Sequence, residues 1–318
     1  MPITRRAAIL GGAGAAGSVL LAAKSRAFRL PASAPAVTVS DDTPVLPVFS
    51  VPTPMAPATW SAITTALGPV LGFRGYNGPN DYTDGVPTAF PGRKAGPIPA
   101  GITSVVLSFK PNVAALLAGS LDSAIGSWLQ MFPTDLAIFL TAWHEGEASA
   151  GQTPANLIAM HEHMLWLVGA NAPSNVVYSQ IVESWTQNTS SRFYPAQYLG
   201  AVPGIAQWLC PGLGMYGIDV YPATVSDTWA TTAPAAVAAV QSVAGDDAVI
   251  GITEANFGAS FVAPASQIVQ FFNDAWTWAT SQAPLCPFFN AYYGNSPCIW
   301  PPDSTVISAL NAINAASQ

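Results

Sequence analysis

The order of apolar and helix-forming segments is the feature that most limits how this chain can fold. From residue 45 to the end, eight short runs rich in Val, Ile and Phe alternate with longer stretches, most of which have helical patterns. This alternation favours a parallel sheet, because a parallel connection has to cross over, usually through a helix. Eight such units in about 280 residues predict an α/β fold, a single (β/α)8 TIM barrel. The predicted strands are 45–51, 70–76, 104–110, 136–143, 175–182, 214–221, 248–253 and 287–293.

The stretches between the predicted strands supply most of the helices that a barrel needs. One helix has a clear start, since Thr153 suits an N-cap and Pro154 suits the first helical position. Residues 77–100 are rich in Gly and Pro, so no helix is predicted after the second strand. The other predicted helices are 59–67, 121–132, 228–243, 264–281 and 305–315.

The first residues have the pattern of an export signal. Arg5 and Arg6 precede an uncharged run of mostly small residues, and paired arginines are typical of the twin-arginine route. The run is short and weakly apolar for a membrane span, so we expect the signal to be removed and the protein to work outside the cytoplasm. An uncleaved anchor is the alternative. The predicted organisation is a signal at 1–36, a linker at 37–44 and one barrel domain at 45–318.

The charge of the chain limits its partners. Five of the ten Lys and Arg residues precede residue 34, whereas all 17 Asp and Glu residues follow it, so the chain without its signal has a net charge near −12. Such a surface repels phosphate backbones, which argues against a nucleic-acid partner. We expect a monomer that binds a neutral carbohydrate and, once the signal is removed, no membrane.

Two of the five glutamates follow predicted strands four and seven. Glu145 leaves strand four within the run Trp143-His-Glu-Gly-Glu147, and Glu254 leaves strand seven. Working residues of such barrels lie at the carboxyl ends of the strands, and retaining glycosidases need two carboxyl groups about 5–5.5 Å apart. Alternation along a strand predicts that Glu145 shares a face with Thr141, and Glu254 with Ile252.

These positions carry a resemblance to a known family. An acid/base on strand four and a nucleophile on strand seven is the pattern of the large clan of retaining barrel glycosidases. The His144-Glu145 pair resembles the mannanase-type enzymes of glycoside hydrolase family 26. The runs Ser108-Phe-Lys-Pro-Asn112 and 143–147 resemble the "SFKP…HEPE" pattern of secreted actinobacterial relatives, and the segment from Tyr194 to Tyr221 resembles their strand-six region. The resemblance covers roughly residues 70–295.

The resemblance implies a role for each matched residue. Glu145 would be the acid/base, with His144 tuning it, and Glu254 the nucleophile, with Tyr221 on the floor beside it. An acid has to keep its proton whereas a nucleophile has to stay ionised, so the two pKa values should differ, with a low pKa for Glu254. The sequence departs from the family at Gly146, where Pro is usual, and at Ala255-Asn256, where Phe-Gly is more common.

Further side chains are predicted to line the mouth of the barrel. Aromatic rings suit the C–H faces of sugars. Lys110 and Arg74, both at strand ends, could bond substrate hydroxyls or hold a catalytic carboxylate ionised. The predicted substrate-binding residues are Lys110, Trp143, His144, Glu147, Trp185, Asp219, Tyr221 and Tyr292.

Other chemistries find little support in the sequence. His161 and His163 are two apart on a predicted helix, so they point in different directions and cannot easily share an ion. No His-Glu-x-x-His, Gly-x-Ser-x-Gly or phosphate-loop motif occurs, so no metal and no cofactor are expected. Cys286 and Cys298 could form a disulfide or remain thiols, as could Cys210. The alternative to a glycosidase is a sugar-binding barrel without hydrolysis, since fold alone does not decide activity.

Overall fold

The computed structural model describes residues 47–52, 57–149, 151–184, 204–222, 224–257, 263–282, 285–292 and 302–318. Its strands are β1 (Val48–Pro52), β2 (Gly72–Tyr76), β3 (Ser104–Phe109), β4 (Ala137–Ala142), β5 (Val176–Glu183), β6 (Met215–Val220), β7 (Ile250–Ala255) and β8 (Phe288–Ala291). Its helices are α1 (Pro57–Leu67), α2 (Val113–Leu117), α3 (Asp122–Leu129), α4 (Pro154–Asn171), α5 (Trp229–Ala244), α6 (Ala265–Ser281) and α7 (Ser304–Ala316).

The strands form one closed parallel barrel. They pair in chain order from β1 to β8, and β8 pairs with β1 to complete the ring. The (β/α)8 barrel predicted from the sequence is therefore confirmed, and each strand overlaps its predicted range. The parallel closure brings the carboxyl ends of all eight strands to one rim, where loops from distant parts of the chain meet.

Apolar side chains pack in two layers. Val106, Ile181 and Phe288 form a small fully buried cluster with Val48 and Phe139. These five residues come from five different strands and none from a helix, so the cluster fills the interior of the barrel. A much larger cluster includes residues of the strands and of all seven helices, and it lies between the barrel and the helical ring.

Local signals set the ends of several helices. The Thr153 hydroxyl accepts a hydrogen bond from the Asn156 amide at 3.2 Å, so α4 begins where the sequence predicted. The Asn112 side chain caps α2 in the same way. α2 was not predicted from the sequence, because five residues are too few to show a helical period. Within the described part of the chain, no helix is both long enough and apolar enough to cross a membrane.

Away from the barrel mouth, the described cysteines and histidines are buried or contact residues of other helices and strands. Cys210 and Cys286 are buried free thiols, and Cys298 lies outside the described residues. His161 is buried against the Tyr178 hydroxyl at 2.7 Å, and its burial lowers its pKa to about 3. His163 contacts Asp122 of α3 at 2.8 Å. The two rings therefore face different neighbours, as predicted.

Candidate active site

Three carboxylates meet at the carboxyl-end rim of the barrel. Glu145 lies three residues beyond β4, Asp219 lies near the end of β6, and Glu254 lies near the end of β7. One oxygen of each side chain lies within 4.8 Å of the others. The two glutamates that the sequence analysis singled out are therefore neighbours in space, with Asp219 as a third member.

The Glu254 carboxylate is held by groups from β2 and from the loop after β6. The Arg74 guanidinium lies 3.4 Å from Oε1, and the Tyr76 hydroxyl donates to the same oxygen at 2.8 Å. The Tyr221 hydroxyl donates to Oε2. Arg74 is fully buried and also donates to the Ser108 hydroxyl at 3.0 Å. A buried cation and two phenols thus fix both oxygens of this carboxylate, and Ser108 was not predicted from the sequence.

The prediction of a low pKa for Glu254 is wrong. Desolvation by burial is the largest effect, and together with the negative charge of Glu145 it raises the pKa of Glu254 to about 7. Arg74 and the hydroxyls of Tyr221 and Tyr76 act in the opposite direction, because they favour the ionised form. The sequence could indicate the neighbouring residues but not that Glu254 is only 5% exposed.

An irregularity in β7 decides which way Glu254 points. Ile250 and Ile252 belong to the core between barrel and helices, whereas a Cβ on Gly217 would meet Thr253, which places Thr253 inside. The register with β6 shifts at this point, so that Ile218 pairs with Ile252 but Asp219 pairs with Glu254. The predicted shared face of Glu254 and Ile252 is therefore wrong, because a bulge interrupts strict alternation.

Glu145 owes its position to a strained loop rather than to strand alternation. β4 ends at Ala142, and both Trp143 and Glu145 have left-handed backbone, with φ of 52° and 54°. Non-glycine residues rarely adopt this conformation, and it is concentrated at functional sites. The Glu145 amide donates to the Ile181 carbonyl at 2.9 Å, which ties the loop to β5. A Cβ on Gly146 would come within 2.8 Å of Leu157, so a glycine at this position suits the tight packing.

Two further glutamates lie close to Glu145, one in the same loop and one at the end of β5. Glu147 is 1% exposed, and its Oε1 accepts a hydrogen bond from the Glu183 amide at 2.5 Å. Desolvation raises the pKa of Glu147 to about 8. Desolvation, then the charges of Glu145 and Glu147, raises the pKa of Glu183 to about 10. Glu147, predicted to bind substrate, lies where it links the β4 loop to β5.

His144 and Lys110 lie beside Glu145 and Glu254, which we call the acid pair. The His144 ring packs edge-on against Tyr76 with ring centres 5.5 Å apart. Burial, then the charges of Arg74 and Lys110, holds the pKa of His144 well below its usual value, so the imidazole is neutral. The Lys110 ammonium lies 5.3 Å from the centre of the Trp143 ring. Desolvation lowers the pKa of Lys110, while the nearby Glu145 opposes this effect.

Asp219, predicted to bind substrate, lies beside the two glutamates. It is fully buried, and its Oδ1 accepts from the Thr253 hydroxyl at 2.5 Å. Among the described residues its Oδ2 has no hydrogen-bond partner. Burial and the charge of Glu254 raise the pKa of Asp219 well above its usual value.

Of the remaining predicted substrate-binding residues, two tyrosines lie beside Glu254 and one tryptophan lies outside the described residues. Tyr221 and Tyr292 pack edge to face with ring centres 5.8 Å apart, beside Glu254. Asn256, one of the departures from the family pattern, donates to the Tyr292 carbonyl and so links β7 to the loop after β8. Trp185 lies outside the described residues.

The three converging carboxylates are also the group of described residues that could ligate a cation. Glu145, Asp219 and Glu254 each offer one oxygen, and oxygen ligands of this kind suit hard divalent ions. The oxygens of Glu254 are already bonded to a guanidinium and two hydroxyls. A cation would compete with Arg74 for this carboxylate, so the arrangement suits acid–base chemistry better than metal binding.

Comparisons with known proteins support the fold. No protein-family model and no curated protein sequence matches the chain. Solved structures do match, and one is a family 39 glycoside hydrolase from Bacteroides cellulosilyticus WH2, with TM-score 0.52, 9% identity and coverage of 85% of this chain and 64% of that one. A glucosidase from Croceicoccus marinus has TM-score 0.51 and 11% identity over 86% and 68% of the two chains.

A third matching structure has a similar TM-score, identity and coverage. It is an exo-β-1,4-mannosidase from Opitutaceae bacterium strain TAV5, with TM-score 0.51, 14% identity and coverage of 86% of this chain and 60% of that one. The chain thus spans less than two thirds of this mannosidase and of the family 39 enzyme. The structural similarity shows that the chain shares the barrel fold of these enzymes. Because the sequence identities are low, the function has to be argued from the site.

Proposed function

We propose that this protein is a retaining glycoside hydrolase, with Glu145 as acid/base and Glu254 as nucleophile. The observation that carries the proposal is the approach of their carboxylate oxygens to within 4.8 Å at the mouth of the barrel. Retaining enzymes keep the two carboxyl groups about 5–5.5 Å apart, whereas inverting enzymes leave about 6.5–9.5 Å for a water molecule. The spacing favours direct attack by a carboxylate.

The surroundings of the two residues suit a double displacement. In the first step Glu145 gives its proton to the glycosidic oxygen while a Glu254 oxygen attacks the anomeric carbon, so the C–O bond breaks and a glycosyl ester forms. In the second step Glu145 takes a proton from water, and that water attacks the same carbon and releases Glu254. Arg74 and the two tyrosine hydroxyls hold the nucleophile in position and favour its ionised form.

The finer features of the proposal come from the sequence. The His144-Glu145 pair favours a mannanase-type enzyme of the family 26 kind, which acts on a neutral β-linked glycan. A solved barrel of similar fold is an exo-β-1,4-mannosidase. The paired arginines near the start favour export by the twin-arginine route. We place the working enzyme outside the cytoplasm.

The direct test is a substrate screen with the protein lacking residues 1–36. Aryl β-glycosides of several sugars and a set of β-linked plant and microbial glycans would be incubated with the protein, and release of aryl alcohol or reducing sugar would be measured. We expect hydrolysis of at least one β-linked substrate, with the first product in the β configuration by proton NMR. A first product in the α configuration would contradict the retaining mechanism. Binding of a glycan with no hydrolysis of any substrate would indicate the sugar-binding barrel instead.

The pH dependence offers a second prediction. A carboxylic acid cannot act as nucleophile while it is protonated, and the pKa of Glu254 is raised to about 7. We therefore expect kcat/KM to rise as the pH is raised through about 7, and to be low at pH 5. A pH–rate profile measured with a dinitrophenyl glycoside, whose leaving group needs no proton, isolates this limb.

A matched pair of variants tests the cause of that limb. Glu145→Gln removes the negative charge that raises the pKa of Glu254, so the acidic limb should move to lower pH. Glu162→Gln removes an exposed charge on α4 and should leave the limb in place. A wild-type limb near pH 4.5, or a limb that does not move in Glu145→Gln, would contradict the coupling of the two glutamates.

A further inference from the structure

A groove lies beside the acid pair and is not used by the catalytic residues described so far. It has a volume of 680 Å³ and is formed by the loops that follow β2, β3 and β4 and by the first turns of α2 and α4. Cavities of about 300–1,000 Å³ hold ligands of drug size, and a disaccharide is a ligand of that size. Residues that line it include Lys110, Asn112, Leu117, Trp143, Gln152 and Asn156.

The groove is lined in part by the loop that carries Glu145. Trp143, two residues before Glu145, forms part of its wall, and the indole N–H donates to the Pro111 carbonyl at 2.5 Å. This bond joins the β3 and β4 loops across the groove. β7, which carries Glu254, lies three strands from β4 and four strands from β3 in the ring. Glu254 on β7 therefore lies across the mouth of the barrel from the groove, whereas Glu145 follows β4 on the same side as the groove.

The direction of the reaction decides which part of a substrate would occupy this place. The nucleophile attacks the anomeric carbon from the face opposite the leaving oxygen, and the acid/base protonates that oxygen. The leaving group therefore extends away from Glu254 and past Glu145. In a glycan the leaving group is the reducing-end part of the chain.

The lining has the chemistry of a sugar site. Leu117 is 39% exposed, so it presents an apolar surface on the wall of the groove. Together with the Trp143 ring it can contact C–H faces of sugar rings. The amides of Gln152 and Asn156 can bond hydroxyl groups. Lys110 and Asp84 are the charged lining residues and have opposite signs, so the groove favours a neutral chain.

We propose that this groove binds about two sugar units on the leaving-group side of a neutral β-linked chain, so that the enzyme cleaves chains internally. The proposal rests on the proposed function for the direction of the chain. It commits the protein to an oligosaccharide or polysaccharide substrate rather than to a glycoside with a single sugar. Binding energy from these remote sugar units would be used to accelerate the reaction at the cleaved bond.

The test uses a tryptophan placed in the groove. Asn156 is an exposed lining residue in the first turn of α4, so Asn156→Trp fills the groove without disturbing the core. Ala155→Trp is the matched control, because Ala155 is an exposed neighbour in the same turn that does not line the groove. For each variant, kcat/KM would be measured on the glycan found in the screen, on its oligosaccharides and on an aryl glycoside of the same sugar.

The measured quantity is the ratio of kcat/KM for a long oligosaccharide to that for the aryl glycoside. We expect Asn156→Trp to lower this ratio by about 10-fold or more, because it removes remote binding energy, and Ala155→Trp to leave it unchanged. With chains labelled at the reducing end, the shortest labelled product of the wild-type protein should be a disaccharide. An unchanged ratio in Asn156→Trp, or a labelled monosaccharide as the main product, would overturn the proposal.

A binding measurement separates this inference from the proposed function. Titration calorimetry with a β-linked oligosaccharide needs no turnover, so it can be done even if the screen finds no hydrolysis. Loss of affinity in Asn156→Trp but not in Ala155→Trp would support the groove as a sugar site while the catalytic proposal fails. Equal affinity in both variants and in the wild-type protein would overturn the groove proposal, whatever the outcome of the screen.

Discussion

Glu254→Ala is expected to lose turnover on every substrate by a factor on the order of 10⁴ or more, because the glycosyl ester cannot form without this carboxylate. The loss should be as large for dinitrophenyl glycosides as for glycans, since even a good leaving group needs the nucleophile. The measurement is kcat/KM for both substrate classes, and Glu162→Ala, which removes an exposed carboxylate on α4, is the control.

Folding has to be checked in the same experiment. Removing Glu254 leaves the fully buried Arg74 without its carboxylate, and breaking a buried ion pair in this way costs about 3–5 kcal/mol. Glu254→Gln keeps the volume and one acceptor oxygen, so it provides a second variant if the alanine variant unfolds below the assay temperature. Wild-type activity in a folded Glu254 variant would mean that the nucleophile has been misplaced. Asp219, one of the three converging carboxylates, would be the next candidate, followed by Glu183.

The sequence was sufficient to predict the barrel and the neighbourhood of the two glutamates. Eight apolar runs with helices between them have few ways to form a parallel sheet, and closure in chain order brings the ends of β4 and β7 to one rim. The distance between Glu145 and Glu254 follows largely from this topology. Sequence reasoning succeeds here because the pattern of burial repeats along the whole chain.

The orientation of each carboxylate could not be predicted, because it depends on two local departures from regular structure. The register shift between β6 and β7 reverses the face on which Glu254 lies. After β4, the left-handed backbone at Trp143 and Glu145 ends the alternation of side chains that a strand would have. Neither has a signal such as Gly at the affected position. In both places, tertiary contacts override the local preference.

The charge state of the site was equally hidden from the sequence. Glu254 was predicted to stay ionised because a nucleophile needs charge, but its burial and the neighbouring Glu145 raise its pKa to about 7. Arg74, which the sequence offered as a cation that could hold a catalytic carboxylate ionised, provides the buried positive charge that limits this rise.

Glu145→Ala is expected to behave differently from the Glu254 variants, because the acid/base is needed only where a proton has to move. For glycans, whose leaving oxygen needs protonation, kcat/KM should fall by about 10²–10⁴-fold. For dinitrophenyl glycosides, the first step should proceed nearly as in the wild-type protein. The glycosyl ester should then accumulate, because no base activates water, and a burst of dinitrophenol should precede slow turnover.

Added azide distinguishes this role from a structural one. Azide needs no general base, so it should attack the glycosyl ester in Glu145→Ala and restore turnover of dinitrophenyl glycosides by a large factor. Attack from the face opposite Glu254 gives a glycosyl azide with the configuration of the substrate, which proton NMR can identify. Azide should have no effect on the wild-type rate. In Glu254→Ala any azide that reacts has to replace the missing carboxylate, so the glycosyl azide would have the opposite configuration to the substrate. A Glu145→Ala variant that loses activity on all substrates and is not restored by azide would show that Glu145 shapes the loop between β4 and α4 rather than transferring the proton.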